Sequence, residues 1–92
     1  MELGKIYKDI KVNEFRVSRN GESFDLNFEF SSSDLTQVVS ACGIREIKEL
    51  CYLLSAQRIW VELNDSSQLE FGKYKLGISH EWYTEIIFDN LL

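Results

Sequence analysis

The chain has 92 residues, 45% of them hydrophobic and 13% aromatic, and fifteen acids against ten bases leave it a net charge of −5. A chain this short forms one core, so a single domain over residues 1–92 is expected. An acidic balance with no cluster of Lys or Arg argues against nucleic-acid backbones and anionic membrane surfaces, and leaves a basic protein surface as the attractive partner.

Residues 1–12, MELGKIYKDIKV, hold no long apolar core and no small-residue cleavage site, so no signal peptide is read there. No run reaches membrane-spanning length. The two cysteines, Cys42 and Cys51, lie in an apolar pattern and not in a disulfide framework. They read as two buried thiols, and the chain as cytoplasmic.

The clearest element is the stretch RVSRNGESFDLNFEF. Asn20-Gly21 suits the centre of a type I′ turn, where both residues need positive φ. Beyond it Phe24, Leu26, Phe28 and Phe30 alternate with Asp25, Asn27 and Glu29, the pattern of a half-buried antiparallel strand. Before it, Ile6, Ile10 and Val12 have one parity and Phe15 and Val17 the other, so a bulge near Asn13 is expected.

The stretch SSSDLTQVVSACG reads as a helix capped by Ser33 or Asp34, with Leu35, Val38, Val39 and Cys42 on one face and Gly43 at its end. A second short helix follows from IREIKELCYLLSAQ. Then RIWVELN and QLEFGKYKLGIS read as a hairpin, with Gly72 marking a bulge or a close backbone approach. The tail EWYTEIIFDN alternates Trp82, Thr84, Ile86 and Phe88 as a last strand; a helix started at Ser79 also fits its spacing. The order β-β-α-α-β-β-β implies an α+β domain: an antiparallel sheet of about five strands with two short helices packed on one face.

Catalytic and cofactor signatures are absent from the pattern. One histidine, His80, and two cysteines nine residues apart do not make a zinc site, and no metal or cofactor is expected. No nucleophile elbow, oxyanion loop or phosphate-cradling Gly motif accompanies His80. Glu62 with Glu70, or Glu81 with Glu85, reads as the wet side of alternating strands and not as an acid–base pair. The chain is therefore read as a non-enzyme; a small-molecule binder or hydrolase built on His80 ranks third.

The informative feature is a surface. If Ile59, Val61 and Leu63 face the core, Trp60 and Glu62 face out. On the last strand Tyr83, Glu85, Ile87 and Asp89 would join them. Aromatic residues rimmed by charge are typical of recognition surfaces. The partner-binding set is Trp60, Glu62, Asp65, Glu70, Glu81, Tyr83, Glu85 and Asp89. The competing arrangement packs Trp60 beneath residues 1–9, near Tyr7. In composition the chain is similar to toxin-immunity proteins and phage-encoded nuclease inhibitors. The expected function is a small acidic inhibitor that neutralises a basic, nuclease-type toxin or enzyme by direct contact. The alternative is a homodimer or complex-assembly subunit whose own copies hide Trp60.

Overall fold

Alternation of apolar and polar side chains governs nearly the whole chain. The computed structural model describes residues 1–64 and 72–92, and these form eight strands and one 3₁₀ helix. The strands are β1 (Tyr7–Lys8), β2 (Ile10–Asn20), β3 (Ser23–Ser32), β4 (Leu35–Ile44), β5 (Arg58–Leu63), β6 (Tyr74–Ser79), β7 (Tyr83–Phe88) and β8 (Asn90–Leu91). They make two four-stranded antiparallel sheets, ordered β1-β5-β6-β7 and β2-β3-β4-β8. The expected α+β fold is thus corrected to a nearly all-β one: a second sheet covers the core where two helices were expected.

The first expected helix is β4. Its Thr36, Val38 and Val39 are β-branched and favour extended backbone. Leu35 pairs with Ser32 across a two-residue turn in which Ser33 takes a φ of 54°. Val39 and Ala41 then point inward, opposite Phe28 and Leu26, while Val38 points out and is 70% exposed. The helical face assigned to Leu35, Val38, Val39 and Cys42 is split between the two sides of a sheet.

The second expected helix shrinks to the 3₁₀ helix Leu50–Ser55. Its N–H groups bond three residues back, Tyr52 to Glu49 O at 3.1 Å and Ala56 to Leu53 O at 3.3 Å. A period of three brings Leu50, Leu53 and Ala56 to one side, and all three are buried. Cys51 and Leu54 fall outside that stripe and are exposed, and Cys42 is half-buried on β4, so neither free thiol is the buried one expected. Partial burial, with the charge of Asp25 behind it, pushes the Cys42 thiol up.

The long hairpin β2–β3 forms as expected, but its turn lies one residue further on. Asn20 pairs with Ser23, so Gly21 and Glu22 are the central residues and Gly21 carries the positive φ of 65°. Asn20 stays in the strand and its amide donates to Asp25 at 3.3 Å. The bulge falls between Val12 and Glu14, where the change of parity placed it.

The chain passes between the sheets three times, once through residues 45–57 between β4 and β5 and twice at tight corners. Asp9 alone separates β1 from β2, with a φ of 52°, and Asp89 alone separates β7 from β8. On either side of these corners the chain is paired, β1 with β5 and β8 with β4, so the two sheets are joined through the chain at both places. One cluster fills the interior, with Leu26, Phe28 and Phe30 from β3 meeting Ile59, Val61, Leu76, Ile78, Ile86 and Phe88 from the other sheet. No helix among the described residues is long and apolar enough to cross a membrane.

Candidate functional site

The two-residue period of the β5-β6-β7 sheet sorts its side chains, except that Leu63, expected to face the core, ends β5 and is 55% exposed. Ile59 and Val61, Leu76 and Ile78, and Thr84, Ile86 and Phe88 are buried. The opposite face therefore carries Trp60 and Glu62 from β5, Lys75 and Gly77 from β6, and Tyr83, Glu85 and Ile87 from β7. Register aligns them in rows: Trp60, Gly77 and Glu85 in one, Glu62, Lys75 and Ile87 in the next.

Gly77 makes the centre of this face. A Cβ there would overlap the Trp60 indole, so only glycine lets the ring lie across β6. The indole then reaches Tyr83 and stacks on it, with centroids 5.5 Å apart and planes 17° from parallel. Tyr83 keeps 53% of its surface exposed. Its phenol is pushed up to about 12 by partial burial, then by a hydrogen bond to Glu85 and the charges of Glu85 and Glu62. The hydroxyl therefore stays protonated, a donor, throughout the physiological range.

Lys75 bridges the two acids beside this stack, 3.5 Å from Glu62 and 3.4 Å from Glu85. Its ammonium is held above the ordinary lysine range, first by the hydrogen bond to Glu85. Two carboxylates around one ammonium leave the group negative. The result is a flat aromatic platform with a fixed acidic rim.

The structure brings Trp60, Glu62, Tyr83 and Glu85 onto one face, and separates the other candidates. Asp65 and Glu70 lie outside the described residues. Glu81 sits in the β6–β7 turn. Asp89 does not face out with Tyr83; it forms the β7–β8 corner, where its carboxylate accepts from Gly72 N–H and from Arg45 Nη1 at 3.0 Å. Gly72 has the close approach expected of it, since a Cβ there would meet Ile87. Trp60 is half-buried, and the N-terminal segment runs along the edge of β5, where Gly4 N–H bonds Val61 O at 2.8 Å. Tyr7 is on the other side of the sheet, packed edge-on against Phe30 in the core.

A second aromatic group was not read from the sequence. At the β6–β7 turn His80 stacks on Tyr52, with centroids 4.6 Å apart, and Trp82 meets both edge-on. Trp82, expected inside the last strand, precedes β7 and is 57% exposed. His80 Nε2 lies 3.4 Å from Thr84 Oγ1. The 3₁₀ helix carries Tyr52, so the reading of residues 44–57 as an α-helix hid this contact. Among the described residues no group of three His, Cys, Asp or Glu is placed to hold a metal ion.

The sequence matches no family model, no curated protein and no solved structure at a significant level.

Proposed function

We propose that the chain is a small acidic cytoplasmic protein that binds a larger basic protein through the outer face of β5-β6-β7 and inhibits it. A nuclease-type toxin is the kind of partner meant. The observation that carries this reading is the Trp60–Tyr83 stack laid over Gly77, edged by the Glu62–Lys75–Glu85 group. Aromatic anchors beside fixed carboxylates suit an arginine of the partner. Its guanidinium can lie on the Tyr83 ring and reach Glu85. The net charge of −5 speeds encounter with a basic surface.

The test is affinity capture at low salt, followed by binding measurements with Trp60→Ala and Tyr83→Ala against the captured basic protein. Each substitution should cost about 2 kcal/mol or more if these residues anchor the contact. Unchanged affinity in both variants overturns the assignment. A homodimer that Trp60→Ala dissolves would replace inhibition with self-assembly.

A further inference from the structure

The opposite sheet carries a different surface. Strand β2 lies at its edge, bonded to β3 along one side. Along the other side Ile10 N–H reaches Gln57 O at 3.3 Å, and no further backbone bond to a described residue is made. From Glu14 to Asn20 every side chain except half-buried Phe15 is exposed. The 3₁₀ helix packs against β2, but the N–H and C=O groups left without a strand partner are a template for another strand.

Charge selects which strand. Glu14 stands directly opposite Glu29 in the β2–β3 ladder. Both project from the outer face, since Phe28 and Phe30 beside Glu29 are buried. Like charges in that position repel, and neither carboxylate has an ion pair among the described residues. Arg16 has the same face, lies opposite Asn27, and also makes no ion pair among the described residues. Each strand edge thus offers an acid in need of a base, and a base two residues away.

We propose that two copies of this chain pair β2 against β2, antiparallel, about a two-fold axis at Phe15. In that register Glu14 of each copy lies opposite Arg16 of the other, so the same favourable contact is made twice. Phe15 meets Phe15 at the axis on the inner face. The bulge between Val12 and Glu14 ends the pairing before Lys11 would meet Arg19 of the other copy. Within the regular run from Glu14 to Asn20 this is the antiparallel β2–β2 register that sets a base opposite Glu14, since Arg19 has the other parity and Lys11 lies beyond the bulge. The Trp60 face belongs to the other sheet and stays open in this dimer.

Sedimentation velocity on the full chain at low salt, over about a hundredfold range of concentration, tests this. A monomer–dimer equilibrium that weakens with added salt is expected. Glu14→Arg and Arg16→Glu should each weaken the dimer about tenfold or more, since two attractions become two repulsions. The combined E14R/R16E chain should recover it, and Trp60→Ala should leave it unchanged. A chain that stays monomeric throughout, a dimer indifferent to both single reversals, or a combined variant that does not recover overturns the proposal.

Discussion

A methyl group on Gly77 would overlap the Trp60 indole, so Gly77→Ala must displace the ring from Tyr83. The substitution should cost about 1–3 kcal/mol in denaturant unfolding, with a change in tryptophan emission as the ring moves. Tyr83 supplies a pH signature. Its folded-state value of about 12 lies above the ordinary tyrosine value of 10.0. As pH rises the unfolded chain loses this proton first, so stability falls between those two values. Tyr83→Phe should remove that part of the alkaline decline, seen by comparing unfolding curves of the two chains. Glu85→Gln should lower the Tyr83 value only part of the way, because partial burial comes first among its causes. Trp60, Tyr83 and Glu85 could be placed on one face from alternation alone. Gly77 could not, because nothing local marks a glycine that serves a neighbour's ring.

The segment 44–57 reads as amphipathic helix because Ile44, Ile47, Leu50, Cys51 and Leu54 fit a helical stripe. In the structure the core accepts only Leu50, Leu53 and Ala56, the spacing of a 3₁₀ turn. Leu53→Ala should therefore cost about 2–5 kcal/mol, while Leu54→Ala should stay within about 0.5 kcal/mol. Urea midpoints of the two variants separate the arrangements, since an α-helical stripe would make Leu54 the costly residue. In the β3–β4 turn Ser33 occupies a positive φ of 54° that glycine tolerates better. Ser33→Gly should raise stability by up to about 1 kcal/mol, read from the same midpoints.

Two aspartates, Asp9 and Asp89, form the tight corners between the two sheets. Asp89 ties its corner from three directions: to Gly72 N–H, to Arg45, and by packing against Gly43, where a Cβ would overlap its carboxylate. Asp89→Ala should cost about 1.5–3 kcal/mol, as expected for hydrogen bonds to a charged group, and thermal unfolding measures it. Because β8 is two residues long and pairs with β4 at Ala41 and Cys42, loss of this corner should loosen the junction of the sheets before it loosens their centres. Amide exchange should show protection falling first at Asn90 and Leu91. At this scale the two proposed surfaces are separate: one is the outer face of a sheet, the other the edge of its partner sheet.

Local pattern in the sequence alone determined the β2–β3 hairpin, its bulge, the strands around Trp60 and the alternation that sends Tyr83 and Glu85 outward. These follow from side-chain parity and turn residues, which act over a few positions. Only the tertiary structure decided that residues 35–44 are a strand. Strand β3 presents bonding groups on both sides, and β2 satisfies one side alone. The demand for a second neighbour comes from a strand elsewhere in the chain, so it overrides a local spacing that suits helix and strand alike. The same holds for Asp89. Its alternation with Tyr83 assigns it to the outer face, but the crossing to β4 makes it a corner, and that crossing exists only once both sheets share a core.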